Sequence, residues 1–160
     1  MPKVKRSELR TFIDTTPEST ETWGLLGEGV PTSNIEYNPE ISEETYIHED
    51  AANKEVERYA PSQPVEATAI KGDAVFDFID SLRKGQAVLD AAHTQIVNVF
   101  LYETIGTNGY PAELIDVTIA IESFGGDGGE SAKINYTIHY RGDPVEGEFD
   151  VDTLTFTANP

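Results

Sequence analysis

The chain has no cysteine among its 160 residues, which excludes a disulfide framework and any thiolate metal site and is consistent with assembly in a reducing cytoplasm. Histidine is scarce. His48, His93 and His139 each lack a second ligand at metal-binding spacing, and no HExxH or EF-hand pattern is present. Asp127, within a glycine loop, lacks the alternating oxygen ligands of a calcium loop. Long apolar runs are missing too. The longest, Ile96 to Tyr102, is interrupted by Asn98 and is far too short to span a bilayer. The basic start, Met1 to Arg6, is followed by no apolar stretch, so it does not read as a secretory signal.

Signatures of catalysis and of cofactor binding are equally thin. Gly24-Leu25-Leu26-Gly27-Glu28-Gly29 carries no lysine and runs into Val30-Pro31 where a phosphate cradle would open a helix. Gly125 to Gly129 is bordered by Asp127 and Glu130, which repel phosphate; both glycine stretches read as turns. No serine sits in a GxSxG elbow. With 29 carboxylates some pair falls at glycosidase distance by chance, but most lie in polar runs and lack the apolar walls that raise a catalytic pKa. Neither an enzyme nor a cofactor is expected.

Positive charge is the other shortage. Eleven Lys and Arg face 29 Asp and Glu, for a net charge of −18, and such a chain is repelled by nucleic acid. The imbalance is uneven: Lys3, Lys5, Arg6 and Arg10 against Glu8 leave +3 on the first ten residues and −21 on the rest. A short basic arm on an acidic body suits docking on another copy, or a solubilising tail. Hydrophobic residues make up only 38%, so some segments contribute little to a core.

What is present is mainly strand signal. In Glu113 to Ile121, Ile115, Val117, Ile119 and Ile121 share one face, with Asp116, Thr118 and Ala120 on the other. In Lys133 to Arg141, Ile134, Tyr136, Ile138 and Tyr140 alternate with Asn135, Thr137 and His139. Asp152 to Thr157 places Leu154 and Phe156 between threonines. Gln95 to Glu103 is apolar on both faces and should be covered on both. One helix is predicted over 73–84, from the stripe Val75, Phe76, Phe78, Ile79 and Leu82, with Asp73 as N-cap and Gly85 as left-handed stop. Gly106 to Gly109 and Gly125 to Gly129 join strands, the second as a hairpin.

Residues 37–63 stand apart. Acidic residues dominate, Asn38-Pro39 opens the stretch and Ala60 to Pro64 closes it, and Ile41, Tyr46, Ile47, Val56 and Tyr59 are too sparse for a core. Connections longer than about 12–15 residues are usually functional or disordered, and the tyrosines argue against pure disorder. The stretch reads as an arm ordered against a partner, or as an excursion packed on its own domain.

Together the glycine turns, the isolated helix and the acidic arm resemble the tail tube (major tail) proteins of siphophages, especially those infecting Gram-positive bacteria. The likeness is carried by Trp23 to Val30, Asn38-Pro39, Thr45 to Asp50, Ile70 to Asp73 with Phe76 and Phe78, Phe124 to Gly129, and Gly142 to Phe149. It implies one tail tube domain over 1–160, an antiparallel β-sandwich or barrel with one flanking helix. It further implies hexameric rings whose inner wall is a continuous β-barrel, stacked into a tube that conducts DNA without binding it. The implied stacking elements are an N-terminal arm, 1–16, and a long loop, 37–63, with strands and helix in 64–160. Lys3, Lys5, Arg6, Arg10, Glu40, Glu43, Glu44, Tyr46, Glu49, Asp50, Arg58 and Tyr59 become inter-ring contact candidates. Asp116, Thr118, Asn135, Thr137 and His139 become candidates for the lumen wall, or for an ordinary solvent-facing sheet. Six copies would carry −108, six times −18, and a negative wall would let DNA slide. The implied partners are further copies and the tape measure, distal tail and tail terminator proteins, with no membrane. The implied location is the virion tail after assembly in the host cytoplasm. The immunoglobulin-like C-terminal domain of some relatives is expected to be absent. A contractile-tail inner tube is a close variant. The alternative from another class is a monomeric carbohydrate-binding β-sandwich with Trp23, Tyr136 and Tyr140 as its aromatic platform.

Overall fold

The computed structural model describes all residues, Met1–Pro160. Its strands are β1 (Leu9–Asp14), β2 (Trp23–Leu25), β3 (Thr32–Ser33), β4 (Pro39–Glu44), β5 (Asn53–Tyr59) and β6 (Ser62–Thr68). After the helix α1 (Ala74–Gly85) come β7 (His93–Phe100), β8 (Gly109–Gly125), β9 (Lys133–Asp150) and β10 (Thr155–Ala158). All strand pairs are antiparallel. The main sheet runs β2-β1-β7-β8-β9-β6-β3, with β10 on the lower part of β9, while β4 and β5 form a separate hairpin.

The sheet curls into a half-barrel. Three strands separate β1 from β6, which would put them about 19 Å apart in a flat sheet with strands about 4.8 Å apart. Yet Gln63 Nε2 on β6 donates to Thr11 Oγ1 on β1 at 3.3 Å. Inside the curl lie Ile13, Ile96, Ile115, Val117, Ile119, Ile134, Tyr136 and Ile138, with Val75 and Ile79 of α1 packed against them. The predicted alternation of β8 and β9 is therefore the core face. Beyond an irregularity where Asp116 pairs Arg141 but Leu114 pairs Val145, the lower ends of β8 and β9 build a second cluster. Phe12, Val97, Val99, Ala112 and Phe149 meet there, the two phenylalanine rings stacking at 4.8 Å. β7 thus feeds both clusters, Ile96 from one face and Val97 and Val99 from the other, as its two apolar faces predict.

The helix forms as its stripe predicts. Asp73 Oδ2 accepts from the Phe76 N–H at 3.1 Å, an N-cap that contributes about 1 kcal/mol. Its stop differs from expectation: Gly85 is the last helical residue, and Gln86, φ 45°, takes the left-handed turn. Glycine lowers the cost of that turn but is not required where the cap N–H already bonds Arg83 and Leu82 carbonyls. Residues Trp23 to Val30 owe their glycines to close approach. A side chain at Gly24 would press Val75 of the helix at 3.0 Å, and Gly29, φ 78°, sits where a Cβ would meet the Thr68 carbonyl at 2.9 Å.

Three expectations are corrected. Residues 9–14 of the predicted N-terminal arm are not an arm, because β1 is hydrogen-bonded on both edges and Thr11 to Asp14 are buried; only Met1 to Glu8 precede it. Residues 62–63 belong to β6 and not to the long loop, since Gln63 is an interior residue. Leu154 lies in a positive-φ turn between β9 and β10, not in a strand, so the last strand starts at Thr155.

Candidate assembly surface

Between β1/β7 and β6/β9 four polar side chains close a ring. Thr11 Oγ1 donates to Asn98 Oδ1 at 2.7 Å, and Asn98 Nδ2 donates to the Tyr140 hydroxyl at 2.9 Å. Tyr140 donates to Gln63 Oε1 at 3.2 Å, and Gln63 Nε2 returns to Thr11 and reaches Ser33 Oγ. Burial pushes the Tyr140 hydroxyl up to about 12, against the pull of Asn98, and burial likewise raises Tyr136. Both phenols stay neutral and able to donate. The asparagine that interrupts the apolar run of β7 is therefore the hub that ties the two walls of the curl together.

The β4–β5 hairpin lies outside this core. Every residue of β5 is exposed, and in β4 only Ser42 is half-buried, while Ile41 is more than half exposed. Register sets Ile41 opposite Val56 and Glu40 opposite Arg58, whose Nε meets Glu40 Oε2 at 2.6 Å. At the tip, Tyr46 donates to Glu44 at 2.8 Å, His48 stacks beside Tyr46, and Ile47 is fully exposed. Within 39–59, seven carboxylates face Lys54 and Arg58, a net −5. The long segment is thus a formed hairpin that keeps Glu40, Glu43, Glu44, Tyr46, Glu49, Asp50, Arg58 and Tyr59 away from the body. Glu49 is the most sheltered of them, accepting from Asn53 Nδ2 at 2.6 Å.

The basic candidates divide. Arg6 is tied down, its guanidinium donating to the Leu9 and Ser33 carbonyls at 2.6 and 2.8 Å. Lys3, Lys5 and Arg10 are exposed and make no ion pair within the chain.

All five lumen candidates lie on the sheet face turned away from α1, but unequally. Asp116 and His139 are exposed, Thr118 and Asn135 half-buried, and Thr137 only 6% exposed, donating to Glu122 at 3.0 Å. Thr137 is small and sits mid-sheet, so its neighbours cover it. Asn135 Oδ1 is a buried oxygen without a partner. The face is not a concentrated negative wall: Asp116 accepts from Gln95 at 2.8 Å and pairs across from Arg141, while Glu66 meets Lys133 at 3.4 Å. The acidity lies more in the hairpin, the segment whose sequence is dominated by acidic residues. At the lower end, Glu113 directly faces Glu146 across β8 and β9, and burial first, then that neighbour, holds Glu113 above the usual carboxylate range.

The aromatic platform of the carbohydrate reading does not form. Trp23 is 7% and Tyr136 2% exposed, both inside the fold, and Tyr140 is engaged in the polar ring. No helix is long and apolar enough to cross a membrane.

No protein-family model matches the chain, and no curated protein matches it. Among solved structures it is similar to a chain from the tail of an empty GTA particle, determined by helical refinement with C6 symmetry. The TM-score is 0.58 over 96% of this chain and 98% of that one, at 14% identity. The class this defines is one of fold: a curled antiparallel sheet with one flanking helix, shared with a protein of a helical tail.

Proposed function

We propose that the chain is the structural subunit of a phage tail tube, assembling as hexameric rings stacked into a hollow conduit for DNA. The observation that carries the reading is the β4–β5 hairpin. It is a formed, apolar-tipped, acidic element that buries almost nothing in its own chain, attached to a body whose core is complete. An ordered element without a local core gains its burial from a neighbour. The fold likeness to a chain from a C6-symmetric tail supports sixfold rings.

Edge chemistry supports closure within a ring. β7 pairs β8 only as far as His93 with Thr118, so Ile119 to Gly125 of β8 have β9 on one side and no strand on the other. Unpaired strand edges are templates for another chain, and barrels abolish them. Between rings, the hairpin and the basic segment before β1 supply opposite charges for stacking. The face bearing Asp116, Thr118 and His139 would line the lumen, polar and mixed in charge, with no dense cation array to hold phosphates. Tape measure, distal tail and tail terminator proteins would be its partners in the virion tail, and the chain would perform no catalysis.

Electron microscopy of the purified protein tests the proposal: hollow tubes with sixfold end views are expected. Replacing residues 40–58 by a short Gly-Ser turn should leave a folded subunit that forms no tubes. Uniform single particles from the intact chain at high concentration would defeat the reading.

A further inference from the structure

An unexplained surface feature is an open cleft of about 780 Å³ between the base of the hairpin and β9. Tyr37 and Tyr59 form its aromatic wall, edge to face at 6.3 Å, and remain 55% and 59% exposed. Pro39, Pro61 and Pro144 supply further rigid apolar surface, and Asp143 stands at the rim. The cleft owes its shape to a bulge. Only Ile115 of β8 lies opposite Gly142, Asp143 and Pro144 of β9, and Gly142 takes φ 82° to turn the strand outward. Bulges recur beside functional sites because they re-aim side chains.

One segment of the same chain has the complementary character and no partner. Met1-Pro2-Lys3-Val4-Lys5 forms no helix or strand, is exposed throughout and free of ion pairs, and leaves the body from a root fixed by Arg6. In extended backbone Pro2 and Val4 point one way, Lys3 and Lys5 the other. We infer that Met1–Lys5 of one copy lies in the Tyr37–Tyr59–Pro144 cleft of another copy in the tube. Pro2 and Val4 rest on the tyrosine and proline surface, as proline-containing extended segments do in aromatic-lined grooves. Lys3 and Lys5 reach Asp143 at the rim, and a lysine ammonium over a tyrosine face adds cation–π attraction. Charge complementarity selects this occupant: Met1–Lys5 carries the two cations Lys3 and Lys5, while the hairpin rising from the cleft carries −5, with the cleft's own Arg58 already paired to Glu40. Fully extended, five residues reach about 17 Å beyond that root.

The inference rests on the tube reading and can fail separately from it. Because the chain lacks cysteine, Val4→Cys gives a single attachment point for a benzophenone maleimide. The labelled protein is assembled into tubes, irradiated, run on a denaturing gel and mapped by peptide mass spectrometry. Adducts that join two copies and fall on residues 36–61 near the two tyrosines or on 142–144 are expected at least tenfold above any other region, and should be lost in unassembled protein. Should the Val4 variant fail to assemble, the label moves to Pro144→Cys and the expected adducts lie on Met1–Arg6. Tubes whose adducts concentrate on the hairpin tip, on the lumen face or within one copy overturn the inference and leave the tube reading standing. If the wild-type protein forms neither rings nor tubes, the tube reading falls and this inference falls with it.

Discussion

The curled body and the β4–β5 hairpin are both antiparallel β-structure, yet they are stabilised by different things. In the body, β7 and β8 present continuous apolar faces to a helix and to a second cluster, and the polar groups inside are matched in a closed ring. In the hairpin, Ile41 and Val56 face each other with water on both sides, and one exposed ion pair is the main side-chain tie between the strands. An isolated two-stranded hairpin is marginal at best in water. The body is finished by its own sequence; the hairpin is left unfinished by it.

That contrast is sharpened most by paired truncations. Ile96→Ala, at a fully buried position, should cost about 2–5 kcal/mol in denaturant unfolding. Ile47→Ala at the hairpin tip should stay within about 0.5 kcal/mol in the unassembled subunit. Equal losses at the two sites would erase the distinction. Next comes the polar ring. Asn98→Ala leaves Thr11 and Tyr140 short of a partner and should cost about 1–3 kcal/mol per orphaned group, whereas Glu40→Gln, which breaks the exposed pair with Arg58, should cost about 0–1 kcal/mol.

A smaller effect is expected with pH. Glu113 is held above its ordinary range in the fold, so its charged form opposes folding at neutral pH, and that penalty is relieved as pH falls through its folded pKa. Below the ordinary carboxylate range both states are protonated and no further gain remains. Wild type should therefore lose less stability on acidification from neutral pH toward the ordinary carboxylate range than other acidic contributions dictate, and Glu113→Gln should raise the unfolding midpoint at neutral pH while removing that portion of the pH response. A Glu113→Gln variant less stable than wild type at neutral pH would contradict the like-charge account. Smallest of all, Lys84→Ala, which removes one of the two cations beside half-buried Asp80, should leave the unfolding midpoint close to that of wild type.

Much of the body was legible because its signals are periodic. The isoleucines of β8, the alternation of β9, the stripe of α1 and the glycine hairpin between β8 and β9 are each carried by local pattern, and each formed where read. β1 was hidden because its apolar core, Phe12 and Ile13, is only two residues long and sits behind a cluster of cations that reads as a tail. Its main partner β7 lies far along the chain, and nearby β2 is only three residues long, so little local marks it as a central strand. The hairpin was legible as a segment lacking its own core but not as strands, since its pairing across β4 and β5 includes a bulge at Glu40 and Ile41 that breaks simple alternation. The distribution of charge over the sheet face was illegible altogether, because only cross-strand register brings Arg141 opposite Asp116.

The closed loop of Thr11, Asn98, Tyr140 and Gln63 works as a combination lock. Shifting β1, β7 or β6 by one residue would rotate a hub residue out of the interior and strand several donors at once, so neighbouring registers lie well above the native one. The radius of the half-barrel is consequently decided inside each molecule before any encounter. In the proposed tube, subunits would arrive as pre-cut arc segments, and the number that closes a circle would be set by the angle each one already holds.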